Sequence, residues 1–128
     1  MVVDFDTDGR EDIVVLNATT PVFLRNTTTD AGWSFEDVTA QSGMTTNMVL
    51  LVFGDVDNDG DMDAFSGTSF RSGADGKHGI WLNDGAGHFT YYGRGGINSN
   101  KANAVFWKEM SAATFADFDH DGVLDLYV

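Results

Sequence analysis

Three short stretches of the chain carry aspartates at a fixed alternate spacing. They read DFDTDGRED at residues 4–12, DVDNDGDMD at 55–63 and DFDHDGVLD at 117–125. Each fits D-x-D-x-D-G-x-x-D, with carboxylates at positions 1, 3, 5 and 9 and a glycine at position 6. Their starts lie 51 residues apart (4 to 55) and then 62 apart (55 to 117). Self-similarity on this scale indicates a repeat architecture.

Alternate aspartates in a tight loop direct several carboxylates at one centre, where like charges disfavour joint ionisation. A hard divalent cation removes this repulsion, and ligands that are all oxygen select calcium over transition metals. The glycine allows the turn that returns positions 7 and 9 to the ion. We therefore predict three Ca²⁺ sites. Their ligands are Asp4, Asp6, Asp8 and Asp12 with the carbonyl of Arg10; Asp55, Asp57, Asp59 and Asp63 with the carbonyl of Asp61; and Asp117, Asp119, Asp121 and Asp125 with the carbonyl of Val123.

The EF-hand loop begins with the same alternation but requires a glutamate at position 12 and flanking helices. Position 12 is Val15, Ser66 and Val128 here. A dockerin-like loop fails for the same reason, because its acidic residue at position 12 is also missing. A closing ligand at position 9 instead fits a loop held between two strands.

The flanks of the acidic stretches are short runs of about four to seven residues, bounded by Gly, Asp and Asn and rich in valine, phenylalanine and tryptophan, which is typical of β-strands. Examples are 13–16, 22–26, 49–54 and 79–83. The loop 83–87 between two aromatic runs predicts a hairpin. The one plausible helical turn lies around Lys101–Ser111. Four short antiparallel strands per unit of roughly 50–60 residues describe a β-propeller blade, so we predict an all-β fold.

The repeats divide the chain into about two blades and the start of a third. Residues 1–45 form a blade that lacks most of its first strand, 46–102 a complete blade with a linker, and 103–128 the first half of a third blade. A closed propeller needs at least four blades. We therefore expect either a fragment of a longer protein or further copies of the chain that close the ring.

The composition excludes several classes of partner. The 20 acidic residues against 7 lysines and arginines give a formal charge of -13, which repels nucleic acid and anionic membranes. With 42% hydrophobic and 12% aromatic residues the chain can still build a core. There is no cysteine for a disulfide or a thiolate site. No apolar run reaches the ~20 residues of a membrane span, and no signal peptide is visible at the start.

The segments FGDVDNDG at 53–60 and FADFDHDG at 115–122 resemble the FG-GAP/VCBS repeats of integrin-α-like β-propellers. The stretch FEDVTAQSGM at 35–44 is similar to the strand and linker of the bacterial members. The resemblance implies calcium loops that join the first and second strands of each blade. It also implies an extracellular, cell-surface or periplasmic module that binds a protein or carbohydrate, or an accessory propeller of a secreted enzyme such as a polysaccharide-degrading hydrolase or lyase.

Other functional candidates are weaker. The histidines (His78, His88 and His120) are not paired in sequence, and we interpret them as surface residues. We expect the aromatic residues to pack between blades, with a minority available to stack on sugars: Trp33, Phe35, Trp81, Phe89, Tyr91, Tyr92 and Trp107. No catalytic triad, phosphate loop or carboxylate pair stands apart from the predicted metal ligands. We therefore expect a binding module and not an enzyme.

Overall fold

A computed structural model describes residues 1–17, 20–67, 78–93 and 112–128. Within these residues almost all regular structure is antiparallel β-sheet, which confirms the all-β prediction. The first sheet contains β1 (Val2–Val3), β2 (Asp12–Leu16), β3 (Pro21–Asn26) and β4 (Phe35–Asp37). The second contains β5 (Leu50–Gly54), β6 (Asp63–Gly67), β7 (Gly79–Asn83) and β8 (Phe89–Gly93). A hairpin of β9 (Thr114–Ala116) and β10 (Asp125–Tyr127) follows.

Both four-stranded sheets have their strands in sequence order, so each strand pairs with the next one along the chain. This meander is the strand order of a propeller blade. Of the predicted boundaries, 45/46 falls between β4 and β5, whereas 102/103 lies outside the described residues.

The hydrophobic core is shared by the two sheets. The ring of Phe23 on β3 lies 5.4 Å from that of Phe5 in the loop after β1 and 5.6 Å from that of Phe89 on β8. Phe5 and Phe23 are completely buried, and Phe89 is nearly so. Val14, Leu51, Ala64 and Trp81 join the same cluster. On β2 and β3 the residues in this cluster are Val14 and Phe23, and each lies between less buried neighbours, as the period of a strand requires.

Two glycines allow close packing between neighbouring units. A Cβ at Gly87 would lie 2.7 Å from the Phe5 ring, and one at Gly54 would lie 2.9 Å from the Phe115 ring. Any larger residue at these positions would therefore separate the second sheet from the first acidic loop, or the β9–β10 hairpin from β5.

The structure contains one helical turn that the sequence analysis missed. Helix α1 (Thr39–Ser42) follows β4, and Gly43 ends it in the left-handed conformation with φ 76°. The Thr39 side chain accepts a hydrogen bond from the N–H of Phe23, which ties α1 to β3. The glycine after a short polar segment was the available signal for this turn. The helical turn predicted around Lys101–Ser111 lies outside the described residues.

The expectation that the aromatic residues pack between blades was wrong for several of them. Trp33 is 86% exposed and Tyr92 is 71% exposed, and Phe35 is also on the surface. Trp33 follows the tight turn between β3 and β4, where no sheet of the described residues covers it. Trp81 and Phe89 are buried as expected, and Trp107 lies outside the described residues.

None of the helices in the described part of the chain has the length and apolar character needed to cross a membrane.

Candidate metal centres

Each acidic stretch forms the loop between the first and second strands of its unit. The residue before position 1 pairs with position 9 in all three hairpins: Val3 with Asp12, Gly54 with Asp63, and Ala116 with Asp125. Three strand pairs of the same register therefore present three loops of equal length, which we call the first, second and third acidic loops.

The backbone conformation of the three loops is the same. Position 4 is left-handed, with φ of 55° at Thr7, 61° at Asn58 and 63° at His120. The glycine at position 6 is also left-handed, with φ of 83°, 98° and 87° in the three loops. Left-handed backbone is rare for residues other than glycine, and asparagine and histidine tolerate it better than threonine. Its recurrence at position 4 shows that the loop geometry overrides the preference of the residue.

The carboxylate at position 1 closes the turn from inside. One of its oxygens accepts the N–H of position 5, at 3.2, 3.0 and 3.1 Å in the three loops. The other accepts the N–H of the glycine at position 6, at 2.9, 3.0 and 3.0 Å. The carboxylate at position 5 in turn accepts the N–H of position 7, at 2.8, 2.9 and 2.8 Å.

The carboxylate at position 9 connects the loop to the sheet. One oxygen accepts the N–H of position 2, at 3.1, 2.9 and 3.0 Å in the three loops. The other oxygen of Asp12 accepts the N–H of Asn26 at the end of β3, at 2.7 Å. That of Asp63 accepts the N–H of Asn83 at the end of β7, at 2.8 Å. Both aspartates are completely buried.

Burial has an electrostatic cost at these two residues. Desolvation raises the pKa of the Asp12 carboxyl, and the nearby charges of Asp6 and Asp8 raise it further, while the accepted backbone hydrogen bonds lower it. The pKa of Asp63 is raised in the same way by desolvation and by Asp57. A bound cation would favour the ionised form of both groups, opposing the desolvation and the like-charge repulsion.

The structure brings three carboxylates together in each loop, with one oxygen from each lying within 4.8 Å of the others. The triplets are Asp4, Asp6 and Asp8; Asp55, Asp57 and Asp63; and Asp117, Asp119 and Asp125. Position 9 is thus absent from the first triplet, and position 5 from the second and third. The full ligand sets, including the carbonyls of Arg10, Asp61 and Val123, remain predictions.

The donor chemistry of these triplets fits calcium. Every donor is a carboxylate oxygen, which suits a hard cation. In the first loop, Asp6 Oδ1 is buried and accepts no hydrogen bond from the described residues. A buried acceptor without a partner is costly unless an ion or water satisfies it. This oxygen belongs to a residue of the first triplet, where a cation would satisfy it.

In the described part of the chain, arginines pair with carboxylates of the first loop. Arg25 on β3 pairs through Nε with Asp6 Oδ2 at 2.6 Å, and Arg10 pairs with Asp8. Among the described residues, no lysine or arginine pairs with a carboxylate of the second or third loop. The first loop therefore starts with part of its negative charge already offset. The sequence analysis missed Arg25, which is far from the loop in sequence.

Two segments of the chain match a known family. A family model described as an FG-GAP-like repeat matches residues 4–66 and again residues 70–128. The chain belongs to the FG-GAP-like repeat family. Each matched FG-GAP segment contains a D-x-D-x-D-G-x-x-D stretch, and the first contains two of them. The resemblance seen in the sequence is thus confirmed. No curated protein matches the chain, and no solved structure does so.

The hydrogen bonds of the position 9 carboxylates in these FG-GAP loops predict that replacing Asp63 with alanine destabilises the fold more than replacing Asp125. Asp63→Ala leaves the partly buried N–H of Val56 and the buried N–H of Asn83 without their acceptor. The free energy of unfolding should fall by about 2–5 kcal/mol, because each unsatisfied buried group costs about 1–3 kcal/mol. Asp125→Ala, at an exposed position with one such bond, should cost about 1 kcal/mol or less. Urea unfolding in the presence of a chelator measures both without any metal contribution. Equal losses would contradict the role assigned to Asp63.

Proposed function

We propose that the chain is a calcium-stabilised binding module in which each of the three acidic loops holds one Ca²⁺ ion. The observation that carries the proposal is the threefold recurrence of one loop conformation, each time with three carboxylate oxygens within 4.8 Å of one another. Repulsion between these carboxylates favours their separation, and a bound cation would offset it.

The ion supplies positive charge, which offsets the repulsion between the carboxylates. Three Ca²⁺ ions would add six positive charges and change the formal charge from -13 to -7. The chain's own residues set the rest of the site. Position 1 holds the turn, and position 9 connects it to the second strand and, in the two complete sheets, to the third. Calcium bound to such a loop stabilises the sheet from which the loop projects.

FG-GAP repeats are generally modules of extracellular β-propellers of the adhesion type. We therefore assign the chain to extracellular binding, with a protein or a carbohydrate as the partner. We also propose that it is a binding module and not an enzyme, because the sequence offers no catalytic triad, phosphate loop or carboxylate pair apart from the predicted metal ligands. Its blades would complete a ring with further blades of a longer chain or with further copies of the chain.

Isothermal titration of the metal-free protein with CaCl₂ tests the proposal. We expect three equivalents of bound ion, with dissociation constants of about 0.1–1 mM, the range of extracellular modules. At 100 times its dissociation constant an ion stabilises the folded state by about 2.7 kcal/mol, so the melting temperature should rise with calcium and fall with chelator.

Two charge-matched variants sharpen this test. Asp57→Asn should remove one equivalent, because Asp57 belongs to the second triplet. Asp84→Asn removes the same charge from the β7–β8 turn of the same sheet and should keep all three equivalents. Absence of binding heat together with an unchanged melting temperature would reject the proposal. Three equivalents in Asp57→Asn would show that the second loop is only an acidic turn.

The arginines predict that the first loop binds calcium more weakly than the second, since affinity follows the charge of the ligand set. Arg25→Gln should tighten the first site by about 1.4- to fivefold, because a partly exposed ion pair contributes about 0.2–1 kcal/mol. An NMR titration that follows the amide of Gly9 reports this site alone. Arg25→Lys, which keeps the charge, is the control, and its first loop should bind calcium as weakly as that of the unchanged chain. An unchanged midpoint in Arg25→Gln would contradict the assigned effect of the arginine.

A further inference from the structure

Asn83 connects the second acidic loop to the first. Within its own unit, its backbone N–H donates a hydrogen bond to Asp63 Oδ1 at 2.8 Å, and its side-chain amide donates one to the carbonyl of Met62 at 3.1 Å. The same amide nitrogen also donates a hydrogen bond to the carbonyl of Phe5 at 2.8 Å, across the boundary between the two sheets. Asn83 is only 7% exposed, so water competes little for these bonds.

The partner across the boundary lies between two predicted ligands. Phe5 is position 2 of the first loop, directly between Asp4 and Asp6. Its carbonyl is fixed by Asn83 and its N–H by Asp12 Oδ2 at 3.1 Å. The ring is completely buried and packs against Gly87 of the second sheet. The position of this residue in the first loop therefore depends on the second sheet.

The corresponding residue of the first sheet provides an internal comparison. Asn26 ends β3 as Asn83 ends β7, and its N–H is donated to Asp12 in the same way. Its side-chain amide is donated to the carbonyl of Glu11, which corresponds to Met62. No bond from this amide to another unit occurs among the described residues. The two asparagines thus differ in that the side-chain amide of Asn83 also bonds across the boundary.

We infer that Asn83 is a positioning residue through which the first and second loops bind calcium cooperatively. The inference rests on the proposed function. An ion in the second triplet orders Asp63, one of its three carboxylates. Ordered Asp63 fixes Asn83, and Asn83 fixes the peptide of Phe5 between two ligands of the first site. The first site is then already partly ordered, and it loses less conformational entropy when its own ion binds.

Residue-resolved NMR titration of the full chain with CaCl₂ measures this coupling. The amides of Gly9 and Gly60, at position 6, report the first and second sites separately. Asp57→Asn, which disables the second site, should weaken binding at Gly9 by about fivefold or more, the lower end of usual coupling between sites. Asp6→Asn should weaken binding at Gly60 by the same factor, because coupling is reciprocal.

The asparagine variants assign the coupling to its residue. In Asn83→Ala the addition of Asp57→Asn should no longer change the midpoint at Gly9, whereas in Asn26→Ala the full effect should remain. Asn83→Leu removes the same amide donors with little change of volume, and it replaces the alanine variant if that one unfolds. If the role of Asn83 is only structural, Asn83→Ala and Asn26→Ala should both lower stability. Asp57→Asn should then shift the calcium midpoint at Gly9 by the same factor in both variants.

The outcomes separate this inference from the proposed function. Calcium shifts at both glycines with no effect of Asp57→Asn on Gly9 would overturn the coupling and leave calcium binding in place. Full coupling in Asn83→Leu would overturn the role of Asn83. Absence of calcium shifts at Gly9, Gly60 and Gly122 would overturn calcium binding itself and the coupling with it.

Discussion

A buried carboxylate at the start of the second strand connects the acidic loop to the sheet, and the rest of the structure depends on it. Asp12 and Asp63 each accept one N–H from their own loop and one from the last residue of the third strand. Each is completely removed from water, which raises its pKa. Loop, second strand and third strand therefore share one charged group, which a nearby cation would stabilise in its ionised form.

The three acidic loops differ in how far basic side chains offset the repulsion between their carboxylates. In the first loop, Arg25 offsets the charge of Asp6. Among the described residues, the second and third loops have no such basic partner, so a bound cation would offset more repulsion there. Contacts between the units run beside the same loops, through Asn83 to Phe5 and through Asn58 to the carbonyl of Gly122. Binding of ions would thus stabilise single sheets and also the boundaries between them.

Spacing in the sequence was sufficient to predict the acidic loops, the strands around them and the family, because these features are local. The cross-boundary bond of Asn83 and the ion pair of Arg25 with Asp6 were missed, because their partners lie 78 and 19 residues away (5 to 83, 6 to 25). The packing of one sheet on another brings Asn83 to Phe5, and the pairing of β2 with β3 within the first sheet brings Arg25 to Asp6. The burial of Trp33 was mispredicted for a related reason, since an aromatic residue in a turn has no neighbour that the local pattern can reveal.

The central claim is that the carboxylate triplets are calcium sites. Anomalous diffraction from crystals grown in millimolar CaCl₂ tests it most directly, because it locates the ion without relying on stability or heat. We expect an anomalous peak among the carboxylates of Asp55, Asp57 and Asp63, and corresponding peaks in the first and third loops. Well-ordered loops with no anomalous peak in any of the three would contradict the claim.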